Sequence, residues 1–79
     1  MKLWLISQDQ NTGYDTYDSA VVAAETEGAA RQINPDSSHT WGKPYSAWCG
    51  SPLQVSVTYL GEAADNVETG VVLASFNAG

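Results

Sequence analysis

The stretch Leu53–Leu60, LQVSVTYL, gives the clearest indication of the fold class. Apolar and polar residues alternate through Tyr59, which predicts a strand with one buried face, and Gly61 ends it. A strand of this kind is typical of an antiparallel sheet that is covered on one side. The residues expected on its inner face are Leu53, Val55, Val57 and Tyr59.

Three other segments carry the residue types that strands favour. Leu3–Ile6 is a run of large apolar residues followed by polar turn residues, which predicts a central strand buried on both faces. Ala20–Ala24 predicts a second strand, paired with the first as a hairpin with a long loop. Val71–Phe76 predicts a last strand, which is expected to be paired and buried because it is so apolar.

One short helix is predicted between the second and third strands. Thr26 is a good N-cap, and Glu27 suits the positive end of a helix dipole. Ala29–Ile33 favours helix until Asn34 and Pro35 stop it. The expected order is β-β-α-β-β. We therefore predict a single domain over residues 1–79, of α+β class, with a mainly antiparallel sheet and the helix packed across one face.

Charge and aromatic content favour a protein-binding module. The 79 residues contain nine acidic and three basic side chains, for a net charge of -6, together with three tryptophans and four tyrosines. Affinity for nucleic acid comes largely from lysine and arginine, so direct nucleic-acid binding is disfavoured. Tyrosine and tryptophan often dominate protein–protein contacts. The expected partner is a protein with a basic surface.

No pattern in the sequence indicates an enzyme, a metal site or a cofactor. His39 and Cys49 lie ten residues apart without a nucleophile motif, so Cys49 is expected to be a buried packing residue. One histidine, one cysteine and scattered carboxylates lack the paired ligand spacing of a zinc site. A domain of this size needs most of its apolar residues for its core, which leaves little room for a deep pocket.

Two features of the sequence, its single cysteine and its amino-terminal residues, favour a cytoplasmic location. A single cysteine cannot form an internal disulfide, so a disulfide-stapled secreted scaffold is not expected. The apolar residues of Met1–Ser7 are too few for a signal peptide or a membrane span. We therefore expect a cytoplasmic protein that does not contact membranes.

Acidic and aromatic residues in two regions are the candidate partner-binding residues. In the first third of the chain, carboxylates interleaved with tyrosines could imitate a phosphate backbone on one anionic face. In the long loop over 36–52, aromatic residues could contact a partner. The alternative is that the acids are ordinary solvated side chains, that the tyrosines pack the hairpin, and that at least one loop tryptophan forms a small core. The candidates are Asp9, Tyr14, Asp15, Tyr17, Asp18, Glu25, Glu27, Trp41 and Tyr45.

Four segments together resemble a group of small uncharacterised proteins of tailed bacteriophages and prophages. These segments are Met1–Gln8, Gly13–Ala24, the pair Trp48 and Cys49, and Ser75–Gly79. The likeness weakens from Asp36 to Tyr45. It implies a context in which small acidic phage proteins often inhibit host enzymes or host defence, anti-CRISPR proteins among them. The compartment it implies is the host-cell cytoplasm.

Three functions follow from these observations. The first is a phage-type protein that binds and inhibits a host protein, with its anionic face mimicking nucleic acid. The second is an accessory protein of phage structure or assembly, and a homo-oligomer stays open. The third is an oligomeric sponge for a nucleotide signal, with bases stacked on Trp41, Tyr45 or Trp48.

Overall fold

In the part of the chain that the structure describes, the protein forms one four-stranded antiparallel sheet with one short α-helix, so this part is mostly β with little helix. The computed structural model describes residues 1–36, 41–42 and 46–77. Within them, no helix is long and apolar enough to cross a bilayer. The elements are β1 (Lys2–Ser7), β2 (Thr16–Ala24), α1 (Glu27–Arg31), a 3-10 turn (Pro52–Gln54), β3 (Ser56–Glu62) and β4 (Gly70–Asn77).

The predicted hairpin of the first two strands is confirmed and forms the centre of the sheet. The strand order is β3-β1-β2-β4, and every neighbouring pair is antiparallel. β2 starts at Thr16, four residues before the predicted start, because Thr16–Ser19 pairs with the end of β4. The connection over residues 63–69 runs from one edge of the sheet to the other, and the Ala63 N–H donates to the Met1 carbonyl at 2.9 Å.

One face of the sheet carries the core, because alternate residues of β1 and β2 point towards α1 and the segment over residues 46–49. The Trp4 indole N–H donates to the Ala24 carbonyl at 3.0 Å, which satisfies a buried donor. Trp48 is 1% exposed, which confirms that at least one tryptophan of the long loop packs in the core. The buried cluster comprises Trp4, Ile6, Ala20, Val22, Ala24, Ala30, Trp48, Cys49 and Val55.

The predicted helix is confirmed, with a shorter extent. The Thr26 side chain accepts from the Ala29 N–H at 3.1 Å, as expected of an N-cap. Arg31 ends the helix instead of Ile33, and its guanidinium donates to the Val55 carbonyl. Arg31 also lies 3.8 Å from the Glu27 carboxylate, one turn back. The helix is thereby held against the start of β3.

The start of the third strand was predicted wrongly. Ser51 caps a 3-10 turn, with its side chain accepting from the Leu53 N–H at 3.2 Å, and Pro52 supplies the first turn residue. Leu53 is therefore 89% exposed and not on an inner face. Val55 is buried and Val57 packs against the core, as predicted. Tyr59 is about half exposed, but its ring meets Trp4 edge-on at 5.3 Å between centroids.

The burial of the last strand was also predicted wrongly. β4 is paired in the sheet, as expected, but only through β2, because it lies at an edge. Leu73 is 69% exposed and Phe76 is 47% exposed. Only Ala74 of this strand packs against the buried cluster as a partly buried apolar residue. An apolar run therefore marks a strand here without marking a core strand.

Candidate functional site

The surface feature that carries most of the predicted site residues is the tip loop, defined as Gln8–Asp18. It comprises the connection over residues 8–15, between β1 and β2, and the first three residues of β2, at one end of the sheet. Its sequence, QDQNTGYDTYD, contains three aspartates and no basic residue. Tyr14 is 79% exposed, and the three aspartates are exposed as well. Four of the nine candidate residues are therefore exposed on this one loop: Asp9, Tyr14, Asp15 and Asp18.

The base of the tip loop is fixed by the buried side chain of Gln8. Its amide nitrogen donates to the carbonyls of Asn11 and Tyr17, both at 2.8 Å. Its amide oxygen accepts from the backbone N–H groups of Gln10 at 3.0 Å and Asn11 at 2.9 Å. One side chain thus satisfies four backbone groups, which reduces the conformational freedom of the loop.

Asn11 ties the tip loop to the segment that covers the core. Its amide nitrogen donates to the carbonyls of Ser46 at 2.6 Å and Trp48 at 3.0 Å. The Tyr17 N–H donates to the Ala47 carbonyl at 2.8 Å. The loop is therefore anchored at its base to a buried part of the molecule, and its exposed residues project from a rigid support.

The apex of the tip loop adopts an unusual backbone conformation. Asp15 has a φ of 60°, in the left-handed region, which aspartate and asparagine tolerate better than most residues. Its N–H donates to the Asn77 carbonyl of β4 at 2.6 Å. The Thr16 hydroxyl donates to the Gly13 carbonyl at 2.7 Å. These bonds hold Tyr14 outward at the apex.

The predicted acidic residues do not gather on one face. Asp9, Asp15 and Asp18 lie at the tip-loop end of the sheet, whereas Glu25 and Glu27 follow β2 at the opposite end. The seven residues from Asp18 to Glu25 correspond to about 24 Å of extended strand. The glutamates instead share their end with the connection over 63–69, because Glu62 pairs with Lys2 and Lys2 pairs with Ala24.

Two further candidate residues face inward and a third lies outside the described residues. Tyr17 is half-buried, packs against the core and contacts the Phe76 ring at 4.8 Å between centroids. Trp41 is partly buried against the same cluster. Tyr45 falls outside the described residues, as does His39. With Trp48 buried, the described tryptophans of the long loop offer little free surface for stacking a base.

The thiol of Cys49 lies in the core. It is fully buried, and its Sγ donates to the Ser51 carbonyl at 3.4 Å. Desolvation raises the pKa of Cys49 above its ordinary value, and hydrogen bonds to backbone groups only partly oppose this. A buried protonated thiol is a poor nucleophile. Within residues 1–36, 41–42 and 46–77, no group of three His, Cys, Asp or Glu side chains is placed to hold a metal ion.

Comparisons with protein-family models, with curated proteins and with solved structures find no match for this chain. The assignment of the tip loop as the candidate site therefore depends on its geometry. Sequence reasoning identified its exposed aspartates and Tyr14 but missed the two residues that order it, Gln8 and Asn11. An amide at each side of a turn is a usable signal, because such side chains bond to nearby backbone groups.

Proposed function

We propose that this protein binds a basic surface on a host protein through its tip loop and inhibits that protein. The observation that carries the proposal is the exposure of Tyr14 at the apex of a loop that also carries three exposed aspartates and is fixed at its base by Gln8. An aromatic anchor on a preordered loop loses little conformational entropy on binding. The phage resemblance supplies the context of host takeover or counter-defence.

The proposed mechanism combines steering with a localised contact. The net charge of -6 attracts a basic partner over a distance, and the aspartates of the tip loop then meet its lysines and arginines. Because the five acids of the first third lie at both ends of β2, we place the nucleic-acid-like contact at the tip loop alone. The basic groove of a nucleic-acid-binding protein is the partner that this charge fits best.

The test is affinity capture from host lysate with matched baits. The wild-type chain is compared with Asp15→Asn/Asp18→Asn, which removes two charges at the tip loop, and with Asp65→Asn/Glu68→Gln, which removes two at the other end. Asparagine tolerates the left-handed conformation of residue 15, so the first variant should fold normally. We expect a basic, nucleic-acid-binding partner to be retained by the wild type and the control and lost by the tip-loop variant.

Affinity for the captured partner should fall as salt rises, since exposed charges are screened beyond about 10 Å at 0.1 M salt. Tyr14→Ala should weaken binding by about tenfold or more, as loss of an interface anchor usually does. Equal retention by all three baits, together with a dissociation constant indifferent to salt, would contradict the proposal. Recovery of virion proteins would instead favour the assembly role, and capture of a small nucleotide would favour the sponge.

A further inference from the structure

The face of the sheet opposite the core is apolar and uncharged, and its central part is uncovered. Directly opposed residues in an antiparallel sheet share a face, so the pairing places Thr58, Leu5, Val21 and Leu73 in one row across all four strands. A shallow groove of about 300 Å³ lies along Leu5, Val21 and Leu73. We call this uncovered region, made of the apolar row with its groove and the row of residues described next, the open face.

A second row borders the apolar one and consists entirely of serines. The pairing of β1 with its two neighbours, and of β2 with β4, aligns Ser56, Ser7, Ser19 and Ser75. Ser19 and Ser75 also line the groove. Neither row contains a charged residue, but one carboxylate borders the serine row, because the Ser19 hydroxyl donates to the Asp18 carboxylate at 3.2 Å. The open face is thus an apolar strip with a neutral polar rim, the composition of a protein–protein contact.

We propose that the open face is the contact between two copies of this chain. A two-fold contact must be self-complementary, because each residue meets the same patch of the other copy. Leu73, with 69% of its surface exposed, lies at the edge of the groove and supplies the projecting side chain, while the groove itself supplies the space. Serine hydroxyls both donate and accept, so the serine row can pair with its own copy, as a row of carboxylates could not.

The distribution of acidic residues favours this face over the ends of the sheet for a contact between two anionic copies. Both ends of the sheet carry exposed acids, and like charges brought together across a contact cost several kcal/mol. The apolar row of the open face, together with the serines at Ser56, Ser7 and Ser75, is the part of the sheet where two copies can approach with only the Asp18 carboxylate nearby. The tip loop meets the serine row at Asp18, so the apolar row is the part of this contact that is separate from the tip loop.

The size of the open face predicts a weak dimer. Four strands about 4.8 Å apart and six residues of about 3.4 Å each give at most about 400 Å² per copy, or about 800 Å² in total. Near the strand ends the face is already covered, since Ala23 is fully buried. Stable complexes bury about 1,200 Å² or more. The association should therefore depend on concentration in the range from micromolar to millimolar.

Sedimentation equilibrium of the purified chain over this range tests the proposal. We expect the mass to rise from the 8.4 kDa monomer towards twice that value. Leu73→Glu should weaken the dimer by at least about tenfold, because it places two carboxylates in the contact, and Ser75→Glu should act in the same direction. Leu53→Glu is the matched control: Leu53 is even more exposed, lies outside the sheet, and its substitution should change the dissociation constant by less than about twofold.

Salt separates this contact from the proposed host interaction. Added salt screens the repulsion between two copies of charge -6, so the dimer should strengthen, whereas binding of a basic partner should weaken. A monomer at every concentration would overturn the proposal, as would a dimer unaffected by both Leu73→Glu and Ser75→Glu. Equal weakening by Leu53→Glu would also overturn it. None of these outcomes depends on whether the tip loop binds a host protein.

Discussion

β2 and β4 are similar in sequence but differ in how deeply their side chains are buried. Both contain adjacent valines, Val21-Val22 and Val71-Val72, and neighbouring small residues, and they pair with each other along most of their length. Val22 is fully buried, whereas Val71 and Val72 are both exposed. β2 has a strand on each side and a covering layer, while β4 has one neighbour. Burial therefore follows from position in the sheet, which composition alone does not encode.

Removing a side chain from the centre should cost far more than removing one from the edge. Ile6→Ala deletes a fully buried side chain of β1 and should lower the free energy of unfolding by about 3–4 kcal/mol. Leu73→Ala removes a mostly exposed one and should cost less than about 1 kcal/mol. Urea unfolding monitored by circular dichroism measures both. Similar losses for the two variants would show that the edge strand is as buried as the centre.

The loss of unfolding free energy expected for Phe76→Ala, at the end of β4, lies between those of Ile6→Ala and Leu73→Ala. A fully buried phenylalanine is worth about 3–5 kcal/mol, but Phe76 is 47% exposed and has one described ring contact, with Tyr17. We expect a loss of about 2 kcal/mol. Thermal or urea unfolding of Phe76→Ala beside Tyr17→Leu, which keeps an apolar side chain but removes the ring pair, checks the value. A loss near 4 kcal/mol would contradict this expectation and would mean that the Phe76 side chain is fully buried.

The smallest effect concerns the layer that covers the central strands. Well below the ordinary thiol pKa of about 8.5, the Cys49 thiol is protonated in both the folded and unfolded chain. Because burial raises its pKa in the folded state, the unfolded thiol loses its proton first as pH rises, and the stability contributed by the buried thiol falls. Between pH 8 and 10 the free energy of unfolding should therefore decline more steeply for the wild type than for Cys49→Ala. Parallel slopes would place the thiol in contact with water.

Local signals in the sequence predicted the elements well. The hairpin of β1 and β2, the Thr26 cap and the existence of all four strands are confirmed because each depends on neighbouring residues. The order of the strands in the sheet could not be predicted, since nothing in the sequence of Val71–Phe76 indicates which strand pairs with it. The start of β3 was missed because Ser51 and Pro52 impose a capped turn on an otherwise alternating pattern.

The candidate site was predicted in part. The tip-loop residues Asp9, Tyr14, Asp15 and Asp18 lie together and are exposed, as a partner-binding loop requires. Glu25 and Glu27 were grouped with them because they are close in sequence, yet a nine-residue β2 separates the two sets. A prediction that the second strand spans nine residues would have placed the two sets of acids at opposite ends of that strand. The serine row has no local signal, because its four members come from four strands and align only through the pairing.

The connection over residues 63–69 has a consequence for how β4 is retained. β3 and β4 lie at opposite edges, so this segment acts as a tether across the end of the sheet. A short flexible tether keeps β4 at an effective concentration of about millimolar beside β2. Much of the apolar surface of β4 is exposed, so its docking depends largely on backbone pairing and on that concentration. A single cut between Asp65 and Asn66 would turn an intramolecular strand into a dissociable peptide ligand and leave β2 as a vacant acceptor edge.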